Sequence, residues 1–222
     1  MRSVPPHLRL GRWRVTVKAD RMKWEARYRS GSRPHDGPPS SLLRRWLPQA
    51  RAPRALDVAT GLGRNALQLA RAGYHVDAVD ISPTALREAA RRARREGLRR
   101  IRWIAADLDR WRPERGQYDV VVNAFFLNRR LFAALRAAVR PGGILIFETH
   151  LVADEADGPA GGKYRLRPGE LRRALRGWDV LYAKDGLDRA GRRTLALGRI
   201  VARRPAATRP KAAGRTRAKP AR

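Results

Sequence analysis

The stretch ALDVATGLGRN (55–65) places Asp57 inside a short apolar run and follows it with a glycine-rich turn. The run VDAVD (76–80) closes on Asp80, and IAADLD (104–109) carries Asp107 in the same position. A glycine turn after a strand lets backbone N–H groups approach a ligand closely, and a carboxylate ending the next strand can accept from ribose hydroxyls. Gly61-Leu62-Gly63-Arg64-Asn65-Ala66 satisfies the loose G-x-G-x-x-A fingerprint of dinucleotide sites, with Asp80 as the ribose acid. Asp57 argues against that reading. A carboxylate four residues before Gly61 repels a pyrophosphate and attracts an ammonium. Asp107 is placed to accept from an adenine amino group. Asn123 and His150 end two further apolar runs, YDVVVNAFF and ILIFETHL, and His150 is the base candidate there for neutral pH.

These groups need a scaffold that brings strand ends together, and the sequence supplies one. RALDVA (54–59), YHVDAVD (74–80), IRWIAAD (101–107), YDVVVNAFF (118–126) and ILIFETHL (144–151) read as buried strands, and WDVLYAKD (178–185) and TLALGRIVAR (194–203) as two closing strands. Helices are predicted from about Arg64 to Ala72, over TALREAARRARRE behind a Ser82 cap and Pro83, over NRRLFAALRAAVR up to Pro141-Gly142-Gly143, and from near Pro168. Alternation of strand and helix means an α/β fold, a mostly parallel sheet with helices on both faces and an antiparallel final hairpin. Ligands of such sheets sit at the carboxyl ends of the strands, where Asp57 to Asn65, Asp80, Asp107, Asn123 and His150 all fall.

Composition narrows the chemistry. Fifty basic residues against 20 acidic give a net charge of +30, and all but six of the basic residues are arginine. The same bias follows from a GC-rich genome or from selected binding to a polyanion. No cysteine is present, which excludes disulfides, thiolate metal sites and a cysteine nucleophile. No apolar run approaches the roughly 20 residues of a membrane span, and the start lacks the apolar core of a signal peptide, so a soluble cytoplasmic protein is expected. The last twenty residues hold eight basic groups and no acid, and read as disordered.

The chain resembles the class I S-adenosylmethionine-dependent methyltransferases, whose sheet is Rossmann-like and seven-stranded. Within them it is similar to the tellurite-resistance and thiopurine methyltransferase-like group. WEARYRSG with PHDGPPS, LDVATGLGRNALQLARAGYHVDAVDIS and AADLD carry the resemblance, over roughly residues 23–203. It implies that Asp57 and the Ala59–Gly63 loop hold the methionine end of S-adenosyl-L-methionine, with Asn65 in the loop's third glycine position. It implies Asp80 on the ribose with Ile81 beside it, Asp107 and Leu108 around the adenine, and Asn123 beneath the methyl group. Trp24 and Tyr28 would belong to an N-terminal lid. Ala59 departs from the usual first glycine and adds a methyl where backbone approaches ligand.

The expected organisation is a basic extension (1–22), a methyltransferase domain (23–202) and a basic tail (203–222). The folded domain is expected to begin near Met22, also a candidate translation start, with residues 1–19 adding little despite the RWRVTV run. Methyl transfer needs proximity and orientation, and a base only where the acceptor must lose a proton, which is the role His150 would fill. A small-molecule acceptor is expected, bound near Arg129, Arg130, Tyr164 or Arg165, with weak non-specific nucleic-acid contact through the tail. Two other readings stay open, an RNA methyltransferase and a cofactor-binding protein without turnover. Against the first, the fourth strand ends NAFF and not in the N-P-P-aromatic signature of base-amino methylation. Arg87, Arg91, Arg94 and Arg95 form either a solvated helix face or a phosphate-binding one.

Overall fold

Alternate residues along β1 (Arg54–Val58), β4 (Tyr118–Ala124) and β5 (Val139–His150) feed two separate apolar clusters. Leu56, Val58, Val121, Leu145 and Phe147 fill one face, while Ala55, Val120, Val122, Ile144 and Ile146 fill the other. Period-two alternation with both faces apolar is what a sheet covered on both sides requires. The computed structural model describes residues 15–31, 37–47, 53–152, 164–190 and 193–206. With β2 (His75–Asp80), β3 (Ile101–Ala105), β6 (Asp179–Ala190) and β7 (Arg193–Arg203), the sheet has seven strands in the order β3-β2-β1-β4-β5-β7-β6. The first five pair in parallel, and β7 runs antiparallel to both β5 and β6. The expected fold class is borne out.

Chain order reverses direction between β1 and β4, which opens a crevice at their carboxyl ends. Three helices shape its walls. α1 (Val15–Arg29) packs against α4 (Pro83–Arg95), and α3 (Arg64–Arg71) follows the glycine turn. α4 starts as its sequence predicts, with the Ser82 hydroxyl accepting from the Ala85 N–H at 3.1 Å and Pro83 at the first helical position. α2 (Ser41–Trp46) is capped by Ser40.

Four boundaries differ from expectation. Val15 to Asp20, placed in the extension, form the first turns of α1, and that helix runs without interruption across residue 22. β4 ends at Ala124, because Phe125 adopts φ 60° and turns the chain out of the sheet. After a 3-10 turn (Arg129–Leu131, capped by Asn128), α5 (Phe132–Ala138) stops before Val139. β5 thus absorbs Pro141-Gly142-Gly143 through a register shift against β4, and Gly142 and Gly143 exchange backbone bonds with Arg204 at 2.9 and 2.8 Å. α6 (Glu170–Ala174) begins two residues after Pro168. Residues 1–14, 32–36 (with the first three of PHDGPPS), 48–52, 153–163, 191–192 and 207–222 lie outside the described residues.

Candidate functional site

Asp57 is buried at the end of β1, and its Oδ2 accepts from the Thr60 hydroxyl and from the Ala66 N–H at 3.1 Å. The carboxylate therefore stitches the glycine turn to the first turn of α3 from below, without lining the cleft. Burial pushes it up to about 6, against the opposing hydrogen bonds and the charge of Arg64. Above it, Ala59 takes φ 52° and Gly61 φ 55°, so the alanine adopts the left-handed conformation that favours glycine. A Cβ on Gly61 would stand 2.9 Å from the Tyr28 hydroxyl, which is why this turn needs glycine. Gly63 caps α3, and Asn65, which borders the slot, accepts from the Ser40 N–H at 3.0 Å, tying α2 to the site.

Asp80 ends β2 facing this turn. One oxygen accepts from the Gly61 N–H at 2.8 Å and the other from the Ser82 N–H at 2.9 Å. Burial raises its pKa above the ordinary carboxylate value, despite these backbone donors, and the charge of Glu25 adds to the rise.

Trp24 and Tyr28 stack at 6.1 Å on α1 and roof the crevice. What fastens that roof is Glu25, which the sequence reading did not single out. It accepts from the Ser82 hydroxyl at 2.8 Å, the Thr84 N–H at 3.0 Å and the Thr84 hydroxyl at 2.5 Å, at the start of α4. Burial alone would raise its pKa, but the bonds from Thr84 and Ser82 and the nearby Arg29 hold it below the usual value. The available signal was an acid flanked by Trp24 and Tyr28, with no mark of its distant partners.

The crevice divides into an inner slot of about 90 Å³ beneath Tyr28 and an outer cleft of about 510 Å³. Trp24, Phe125 and Phe126 border both. Ile81, Asp107, Leu108 and His150 line the outer cleft. Asp107 Oδ1 accepts from the Asp109 N–H at 2.9 Å, while its Oδ2 is buried without a hydrogen-bond partner among the described residues. Asn123 is fully buried, and its amide donates to the Phe126 carbonyl at 2.7 Å, setting the turn that carries both phenylalanines. His150 packs 5.5 Å from the Phe125 ring. Burial, helped by the charge of Arg165, lowers its pKa and keeps the imidazole neutral at pH 7. Tyr164 is exposed on the cleft's edge. Arg129 is engaged elsewhere, in a two-pronged pair with Glu170 at 2.6 and 2.9 Å. No group of three or more metal-ligating side chains occurs among the described residues.

Residues 55–143 match the family described as methyltransferase domain. A release factor glutamine methyltransferase of Bordetella pertussis is 32% identical over 64% of this chain and 54% of its own length, so the chain spans about half of that relative. Two solved structures share the fold. TehB from Haemophilus influenzae has a TM-score of 0.64 at 19% identity, over 82% of this chain and 67% of its own. Phosphoethanolamine N-methyltransferase 2 of Haemonchus contortus, in complex with S-adenosyl-L-methionine, has a TM-score of 0.61 at 17% identity, over 74% and 51%. The matched domain and the shared fold bear out the resemblance to class I S-adenosylmethionine-dependent methyltransferases. No helix among the described residues is long and apolar enough to cross a membrane.

Proposed function

We propose that this chain transfers a methyl group from S-adenosylmethionine to a small-molecule acceptor seated in the outer cleft. The observation that carries the acceptor class is the cleft itself. It is an aromatic-walled cavity of about 510 Å³ partly covered by α1, with room for the adenine at its Asp107–Leu108 end and a small acceptor at its His150–Tyr164 end. The residues fit the cofactor at two independent points. Asp80 offers a buried carboxylate held only by backbone donors, free of any arginine pair, and the Asp107 Oδ2 is an acceptor in want of a donor.

In this reading Asp80 binds the ribose hydroxyls and Ile81 packs beside them, Asp107 and Leu108 frame the adenine, and the Ala59–Gly63 turn takes the amino-acid end. The cofactor supplies an electrophilic methyl on a sulfonium. Asp57 shapes the turn, Asn123 places Phe125 and Phe126, and Trp24 and Tyr28 exclude water from above. His150, neutral at pH 7, accepts the proton of an acceptor that must lose one; an ionised thiol or oxyanion needs no such step. The unit responsible spans about residues 23–202, together with the earlier turns of α1.

Two measurements test this. S-adenosylmethionine and its demethylated product should raise the melting temperature, whereas NAD and NADP should not; stabilisation by NAD alone would end the reading. Incubation with methyl-labelled cofactor should then label a metabolite extract and not total RNA. Label confined to RNA would transfer the assignment to a nucleic-acid acceptor.

A further inference from the structure

At the opposite end of the sheet, where β1, β2 and β3 begin, Arg54, His75, Arg99, Arg100 and Arg102 surround a second cleft, of about 480 Å³. The length of β2 sets it roughly 17 Å from Asp80, at about 3.3 Å per residue. Among the described residues lining it, Asp77 is the one carboxylate against four guanidiniums. Glu114, outside the lining, adds an attraction for Arg102. Fold stability explains part of the cluster. Arg102 places Nε and Nη2 on Asp77 at 2.8 and 2.7 Å, and Arg54 approaches the same carboxylate at 3.5 Å. Neither cation is used up. Arg102 keeps 60% and Arg54 44% of its side chain exposed, with further N–H donors facing outward. Arg100 donates to the Gly73 carbonyl at 3.2 Å, and neither it nor Arg99 pairs with a carboxylate among the described residues. Elsewhere the arginine surplus does find acids, as in Arg71 with Glu96, Arg129 with Glu170 and Arg199 with Glu148. The helix dipole accounts for Arg92, Arg94 and Arg95 in the last turn of α4, but Arg99 and Arg100 lie beyond it.

Guanidinium forks suit phosphate oxygens, and a buried carboxylate beneath two of them fixes their spacing before a ligand arrives. Three features select a nucleic-acid backbone as the phosphate source. The cleft continues onto the exposed Arg94 and Arg95 through the turn at Gly97, whose N–H returns to the Arg94 carbonyl at 3.1 Å, so the basic track outruns a single phosphate. A bilayer finds nothing to bury here, because the exposed large apolar side chains, Met22, Tyr164 and Leu187, stand on α1, the crevice edge and β6. No aromatic ring is exposed at the cleft to stack a base, which leaves the backbone as the group contacted. We propose that this cleft docks the phosphodiester backbone of a nucleic acid, without reading its bases and apart from the methyl-transfer crevice. The docked strand is a tether and not the methyl acceptor, so the inference does not rest on the reaction proposed above.

The experiment titrates the full-length protein with a short, labelled, mixed-sequence single-stranded RNA over a series of salt concentrations. In the double variant Arg99→Gln/Arg100→Gln the slope of log affinity against log salt should fall by about 1.4, at about 0.7 per lost phosphate contact, which near physiological salt is about 10-fold in affinity. The control Arg172→Gln/Arg176→Gln removes the same charge from exposed positions on and after α6, and should bind within about twofold of wild type. S-adenosylmethionine affinity should be the same in all three proteins. Equal losses in both double variants would mean attraction by bulk charge, and they overturn the proposal, as does no loss in the first. Photo-crosslinking of the same RNA to the wild type needs no variant to fold. Crosslinks should include residues 94–102, and crosslinks that avoid this segment overturn the site. Vesicles of phosphatidylglycerol and phosphatidylcholine should not displace the RNA; vesicle binding that depends on Arg99 and Arg100 and exceeds RNA binding would give the surface to a membrane instead.

Discussion

At the amino end of the sheet, Asp77 receives two hydrogen bonds from Arg102 at 2.8 and 2.7 Å and one from the Tyr118 hydroxyl at 2.8 Å, with Arg54 at 3.5 Å. Asp119 beside it accepts from the Arg54 N–H at 2.9 Å and pairs with Arg140. At the carboxyl end, on the same strand as Asp77, Asp80 is equally buried but receives only backbone N–H groups. Asp57 and Asp107 likewise carry no direct arginine pair in the structure. In a chain so rich in arginine, the lack of arginine pairs around Asp80 and Asp107, the two that line the crevice, is the informative feature. Acids that hold the fold are neutralised within it; acids that serve a ligand are left with capacity.

The largest expected effect concerns pH. The folded pKa of Asp57 near 6 exceeds the ordinary carboxylate value of 3.8, so between these values the native state keeps a proton that the unfolded chain has lost. Stability contributed by the protonated group is therefore lost as pH rises from about 4 to about 6, by on the order of 3 kcal/mol. Chemical denaturation across that window should show wild type falling relative to Asp57→Asn; a constant difference would mean that Asp57 titrates as an ordinary exposed carboxylate.

Next comes Asp80→Ala, which should weaken S-adenosylmethionine binding by about 1.5–3 kcal/mol and leave the melting temperature of the ligand-free protein nearly unchanged. Calorimetric affinity within about twofold of wild type would place Asp80 with the structural acids. Asp77→Ala is its mirror. It should cost about 2 kcal/mol of stability, discounted for the solvent-exposed Arg102, with cofactor affinity unaltered. A loss of affinity without a loss of stability would invert the contrast between the two ends. Smallest is Glu25→Gln, expected to weaken cofactor binding by about 1 kcal/mol through a looser α1. Trp24 fluorescence should become less sensitive to ligand, and an unchanged response would separate Glu25 from the site.

Asp57, Asp80 and Asp107 were legible as a set because each interrupts or ends an apolar run, a signal local in sequence. Their different duties were not. Only the folded turn reveals that Asp57 sits below it, holding Thr60 and Ala66, while Asp80 faces the slot. The strands were readable from buried runs, yet Phe125 looked like the continuation of β4, since nothing in NAFF announces a left-handed aromatic residue. Pro141-Gly142-Gly143 read as a stop because those residues break regular pairing, and β5 accommodates them only through the partnership with Arg204 far along the chain. Glu25 stayed hidden for the same reason, its partners Ser82 and Thr84 lying on another helix.

The position of β7 between β5 and β6 also bears on how the protein is made. On the ribosome β5 is complete once His150 is added, but the strand that covers its outer edge is finished only at Arg203. At about 5–20 residues per second, that interval lasts roughly 3–10 seconds. Throughout it the backbone of Ile144 to Phe147, later paired with Arg203 to Ile200, presents an apolar strand edge to its surroundings. The nascent chain thus passes through a stage at which most of the crevice-forming elements have been synthesised while the sheet remains open to pairing with a neighbouring chain.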